Sequence, residues 1–230
     1  MRFTDQVLIF DADDTLWENN VRFERVIHDF LHWLEHPKRD RTAIRAVLDE
    51  VEAANSVAHG YGARVFLRSL GECLERLIER PATEEERRRL DDLAAALLDH
   101  RVDLVPGVSE TLDELGTRHR LILLTKGDRT EQEGKLDASG LRPHFRSVHV
   151  VPEKDVGTYR ALAEGLSLPL ATTWMVGNSP RSDVMPAREA GMRAVFVPND
   201  NTWVLEHAAI DPDDHGILTL QAFPELLRHF

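Results

Sequence analysis

The sequence predicts an α/β protein, a parallel sheet with helices on both faces and an all-helical insertion early in the chain. Two observations predict it. Short apolar runs, unbroken except at His149, recur at 7–10, 121–124, 148–151, 174–176 and 194–197, and stretches with helical spacing separate the later ones. Between the first run and the second, apolar residues fall at helical spacing alone.

The first run, VLIF, is apolar at every position and ends in acids. A strand with one wet face would alternate, so this one reads as buried on both faces of a parallel sheet. The later runs read the same way, and their alternation with helical segments implies a doubly wound topology. Four helices are expected in the insertion. Val26, Ile27, Phe30, Leu31 and Leu34 mark the first, and Ile44, Val47, Leu48 and Val51 the second. Phe66, Leu70, Cys73, Leu74, Leu77 and Ile78 mark the third, which stops at Pro81. Thr83 and Glu86 form a capping-box pattern that opens the fourth, with Leu90, Leu93, Leu97 and Leu98 as its stripe. The sheet domain is thus expected at 1–16 and 104–230 and the helical insertion at 17–103.

Composition narrows the function. With 28 Lys and Arg against 40 Asp and Glu, the 230 residues carry a net charge of −12, and 42% are hydrophobic. That is the balance of a globular protein able to bury a large core. Nucleic acid and anionic lipid are disfavoured as partners, because such surfaces need clustered cations. The one cysteine, Cys73, forms no intramolecular disulfide, so a reducing, cytoplasmic setting is expected. The run at 7–10 is too short for a signal or membrane-spanning segment. Cys73 lies on an apolar stripe and reads as packing, the charge run at 84–89 as solvated helix surface, and His100 and His119 as surface or satisfied residues.

The chemistry concentrates in Asp11-Ala12-Asp13-Asp14-Thr15, directly after the first strand. Its acids emerge at the carboxyl end of a central strand, where open α/β sheets bind ligands. Crowded carboxylates repel one another, and a hard divalent cation with oxygen ligands, Mg2+ foremost, resolves the repulsion. Helix capping accounts for one of these acids but not for an Asp-x-Asp pair.

These residues resemble the haloacid dehalogenase superfamily of phosphohydrolases. Four ordered motifs carry the resemblance over nearly the whole chain: DADDT at 11–15, Thr125 after LILL, Lys154, and GNSPRSD at 177–183. Pro106-Gly107-Val108 also matches the family pattern. The resemblance implies a Rossmann-like core, a helical cap that closes over substrate, and Mg2+-dependent hydrolysis of a small phosphorylated metabolite. It implies Asp11 as nucleophile, forming an aspartyl phosphate, and Asp13 as general acid and then base. Thr125, with the backbone N–H groups of Lys126 and Gly127, is expected to hold phosphoryl oxygens, and Lys154 to neutralise phosphate and nucleophile. The metal is expected at Asp11, the Asp13 carbonyl, Asn178 and Asp183. Asn178 departs from the family's usual aspartate, and which of Asn178 and Asp183 ligates directly stays open. With Lys154 and a divalent ion, the three aspartates then sum to zero.

Each assignment has a plainer rival. Thr125 can simply end a strand, Lys154 can be a surface lysine, and the Lys126 side chain reads as a phosphate contact or as solvated. Asp128 with Glu131 fits a helix cap. His59, Gly60, Tyr61, Gly62 and Arg64 are candidates for contacting the leaving group, against the reading of a polar connection between helices. Three other classes compete: a receiver-type signalling module, disfavoured by its later phosphoacceptor and its lack of a helical lid; a 2-haloacid dehalogenase, disfavoured by Asp13; and a catalytically dead phosphate-binding relative. Phosphoglycolate, sugar phosphates and nucleoside monophosphates share the same phosphoryl group, so the motifs select no substrate. The sequence specifies no oligomeric state.

Overall fold

The structure is a computed structural model that describes residues 2–34, 36–97 and 102–230. Its contacts divide the chain into two compact units, Met1–Asn20 with Arg101–Phe230, and Val21–His100.

The first unit holds strands β1 (Val7–Phe10) and β2 (Trp17–Glu18). Four helices then follow in the chain, α1 (Asn20–Trp33), α2 (Arg41–His59), α3 (Ala63–Ile78) and α4 (Glu84–Ala94). The first unit resumes with β3 (Asp103–Leu104), α5 (Val108–Gly116), β4 (Arg120–Lys126) and α6 (Arg129–Ser139). It ends with β5 (Ser147–Val151), α7 (Val156–Leu166), β6 (Thr173–Gly177), α8 (Met185–Glu189), β7 (Arg193–Phe196) and β8 (Ile217–Thr219).

Six strands form one sheet in the order β5-β4-β1-β6-β7-β8, every pairing parallel. This is the Rossmann-like α/β core. All four residues of β1 are buried, as a doubly covered strand requires. The pleat sorts them: Leu8 and Phe10 join one core with Leu121, Leu123 and Trp174, while Val7 and Ile9 join another with Ile122, Leu124 and Met175. Leu112 and Leu115 of α5 and Leu136 of α6 cover the first face, and Tyr159 and Leu162 of α7 the second. Truncating a side chain such as Leu8, fully buried, to alanine would cost about 2–5 kcal/mol. Because β1 lies between β4 and β6, the strand order reverses beside it. A crevice at the carboxyl ends of β1 and β6 is where such sheets place ligands.

Three strands escape the sequence pattern. β8 is too short, and too exposed at Thr219, to make an apolar run. β2 and β3, two residues each, pair antiparallel as a ribbon, so 17–20 and 102–103 group with the sheet rather than with the helices.

The second unit is helical and has its own core of Phe30, Ile44, Leu48, Leu70, Cys73 and Leu74. Asp40 caps α2 by accepting from the Ala43 N–H at 2.8 Å. Thr83 and Glu86 make both bonds of the capping box at α4. The stripe continues to the buried Leu97, whereas Leu98 and His100 lie outside the described residues. Among the described residues no helix is long and apolar enough to cross a membrane.

Candidate active site

Asp11 follows the last residue of β1, and its N–H donates to the Val176 carbonyl of β6 at 2.9 Å, which fixes it at the crevice. Lys154, just beyond β5, donates to Asp11 Oδ1 and, at 2.6 Å, to Asp183 Oδ1. All three are buried. Asp183 sits in the π-helical turn Pro180–Val184, and its Oδ2 accepts from the Ser179 N–H at 3.0 Å. Gly177 makes room for this turn: a Cβ there would lie 2.1 Å from Asp183 Oδ2. Thr125 is buried within β4, two residues beyond Leu123, the partner of Phe10, and so lies at the same carboxyl end of the sheet as Asp11.

Burial raises the Asp11 pKa to about 7; Asp183 adds to the rise and Lys154 opposes it. Burial also raises Asp183 against the pull of Lys154. Lys154 shifts the other way, since the two carboxylates outweigh burial and keep it protonated. Two buried carboxylates sharing one ammonium leave a surplus negative charge.

Thr15 links the two motif loops. Its Oγ1 lies 3.3 Å from Asp11 Oδ2 and 3.1 Å from Asn178 Oδ1, and accepts from the Asn178 N–H. Asn178 Nδ2 donates to Thr202 Oγ1 at 2.8 Å, which leaves the amide oxygen facing Thr15. One hydroxyl proton cannot satisfy both Asp11 Oδ2 and Asn178 Oδ1, so one of these oxygens is left short of a donor. Together with the surplus charge, this all-oxygen set fits a hard divalent cation. Among the described residues no three His, Cys, Asp or Glu side chains form a ready metal cage. Such an ion would depend on two carboxylates, neutral oxygens and water, which suits Mg2+.

Asp13 points elsewhere. Its Oδ1 accepts from Trp17 Nε1 at 2.7 Å and from Lys135 Nζ at 3.0 Å, and its Oδ2 from Gln132 Nε2 at 2.8 Å. Burial disfavours the carboxylate, but Lys135, Gln132 and Trp17 outweigh it and hold the pKa low. Lys135 also enters the charge balance. It brings Glu131 with it, 3.5 Å away, so the three aspartates and Glu131 still sum to zero with Lys154, Lys135 and a divalent ion. Asp14, at φ +60°, accepts from the N–H groups of Asn19 and Asn20 where α1 begins, so it is the one acid of the motif that serves as a helix cap. Burial lifts its pKa to about 7.

Two expected phosphate contacts are occupied by the protein. The Gly127 N–H donates to the Val151 carbonyl at 3.1 Å, continuing the pairing of β4 with β5. The Lys126 ammonium bonds Glu206 at 2.5 Å, Ser182 at 2.9 Å and Glu153 at 3.4 Å. Glu206 comes from the turn Val204–Glu206, and its other oxygen accepts from Ser179 Oγ. Asp128 caps α6 through the Glu131 N–H at 2.9 Å. In the helical unit, His59 ends α2 and Arg64 lies in the first turn of α3, both exposed, and Gly60, Tyr61 and Gly62 connect them.

Sequence reasoning missed Gln132, Lys135, Trp17 and Glu206. Gln132 and Lys135 stand three apart on α6 and share a face, the one signal available for them.

A Rossmann-like sheet bearing an aspartate at its β1 end, and a lysine bridging it to a second aspartate, defines a class of hydrolases. A family model for haloacid dehalogenase-like hydrolases matches residues 6–191, and the chain belongs to that family. It is 31% identical over 229 aligned residues to a phosphoserine phosphatase from Thermus thermophilus, covering 84% of this chain and 88% of the relative. Among solved structures, a haloacid dehalogenase-like family hydrolase from Xanthomonas campestris superposes with a TM-score of 0.80 at 27% identity, over 98% of this chain and 95% of that one. The L-2-haloacid dehalogenase from Xanthobacter autotrophicus has the same fold, with a TM-score of 0.63 at 19% identity over 97% of each chain.

Proposed function

We propose that this hydrolase cleaves phosphate monoesters of a small metabolite through an aspartyl phosphate on Asp11. One observation carries the reading: the Lys154 ammonium bonds the carboxylates of Asp11 and Asp183 at the crevice end of the sheet. It supplies positive charge where a phosphoryl group meets its nucleophile. An Asp11 oxygen attacks phosphorus in line, the bond from phosphorus to the ester oxygen breaks, and Asp13, which must first take a proton from solvent because Lys135, Gln132 and Trp17 favour its ionised form, delivers that proton to the departing alkoxide. Asp13 then takes a proton from the water that hydrolyses the acyl phosphate, and Asp11 and inorganic phosphate are released. Thr125 holds a phosphoryl oxygen. Asp11, Asp183, Asn178 and the Asp13 carbonyl are the residues to hold Mg2+, which when bound supplies neutralising charge for the phosphate dianion.

Likeness to a phosphoserine phosphatase supports phosphate ester chemistry, whereas the dehalogenase likeness, at 19% identity, speaks for the fold alone. The test is a screen of phosphorylated metabolites with and without Mg2+, alongside 2-haloacids. Mg2+-dependent phosphate release that Asp11→Asn abolishes supports the proposal. Chloride release from a 2-haloacid with no phosphate release refutes it.

A further inference from the structure

We infer that Gln132 and Lys135 of α6 are positioning residues for Asp13 and that they set which leaving groups the enzyme accepts. The inference rests on the reading of Asp13 as the acid. Both Asp13 oxygens are held. Oδ1 accepts from Trp17 Nε1 at 2.7 Å and Lys135 Nζ at 3.0 Å, and Oδ2 from Gln132 Nε2 at 2.8 Å and Lys135 Nζ at 3.2 Å. Bonds to both oxygens from three sides fix the carboxylate plane as well as its position. The donors are anchored in turn. Lys135 Nζ donates to Asn19 Oδ1 at 2.9 Å and lies 3.5 Å from Glu131, and Gln132 Nε2 also donates to the Lys126 carbonyl at 2.9 Å. A Cβ on Gly127 would lie 3.2 Å from Gln132 Nε2, so the glycine keeps this path open.

Gln132 and Lys135 are 5% and 6% exposed. An ammonium loses several kcal/mol of hydration on such burial unless a partner compensates, so a lysine sunk beside Asp13 is held there by Asp13 itself. Neither side chain bonds Asp11, Lys154 or Asp183; Lys135 reaches the site through Asp13, and Gln132 through Asp13 and the Lys126 carbonyl.

A fixed acid matters in proportion to how much the departing oxygen needs its proton. An alkoxide leaves poorly without one, whereas an activated phenolate departs unprotonated. For each ester kcat/KM reports the steps up to leaving-group departure, which isolates the acid role from the later activation of water.

The experiment compares kcat/KM for an alkyl phosphate and for para-nitrophenyl phosphate in the wild type, Lys135→Met and Gln132→Met, with thermal unfolding measured for each. The expected result is a change of about tenfold or more in the alkyl-to-aryl ratio of both variants, because without these donors the carboxyl is both less firmly placed and more readily protonated. Equal losses on both esters would mark a merely structural role and overturn the inference, as would an unchanged ratio. Should Lys135→Met fail to fold, Gln132→Met, which alters no charge, decides by the same ratio. A wild type that hydrolyses neither ester removes the phosphatase reading and this inference together. A wild type that hydrolyses both, with the ratio unmoved in the variants, removes the inference alone.

Discussion

Lys154 bonds Asp11 and Asp183 at once, at 2.6 Å to the latter, and all three side chains are buried. The pair of acids depends on that one ammonium, for without it two carboxylates would face each other out of water.

Lys154→Met should therefore abolish hydrolysis and destabilise the fold by about 3–5 kcal/mol at neutral pH. The defect should grow with pH. A carboxyl whose folded pKa is raised, as for Asp11 from 3.8 to about 7, leaves stability intact below its unfolded value and lowers it as pH climbs through the folded one. Removing the lysine widens that loss. Urea unfolding of both proteins at pH 5 and pH 8 checks the sign, and a defect that shrinks at pH 8 contradicts it.

Gly177→Ala should displace Asp183, because the new methyl would sit 2.1 Å from Oδ2 at the end of a buried strand. Activity should fall by about tenfold or more, since misplacement by an ångström of a group that supports the nucleophile is costly. Steady-state kinetics on whichever phosphate ester the screen selects measures it.

Glu52 in α2 is buried, its Oε2 lacks a hydrogen-bond partner, and burial lifts its pKa to about 7 despite Arg45. Above pH 7 the folded protein holds an ionised carboxylate in poor surroundings. Below pH 4 both states are neutral there. Glu52→Gln should thus raise stability at pH 8, by on the order of 1 kcal/mol, and change little at pH 4. Denaturant midpoints at the two pH values decide it.

Cys73 lies fully buried in the helical core, and burial pushes its thiol up to about 12. It should resist maleimide in the native protein and react promptly in denaturant, as mass spectrometry would record.

How much of this was legible follows from where each signal resides. Asp11 could be read because β1 is visible as an apolar run that stops in acids, and Lys154 and Asp183 because they match the family's motif order; the structure gathers all three at one crevice. β8 stayed hidden because three residues ending in an exposed threonine make no run. Lys135 and Gln132 stayed hidden for a different reason. On a largely polar helix they read as solvated surface, and burial is a property of the neighbours that arrive from distant sequence. Glu206 lies in a loop without periodicity, so nothing local foretold that it would bond Lys126.

The central claim is that Asp11 carries the phosphoryl group, and the most direct measurement is an acid quench of the enzyme during turnover of a phosphate ester, followed by peptide mass spectrometry. The peptide containing Asp11 should gain one phosphoryl group, and the gain should vanish in Asp11→Asn. Steady phosphate release with an unmodified Asp11 peptide, or with the label on another residue, would contradict it.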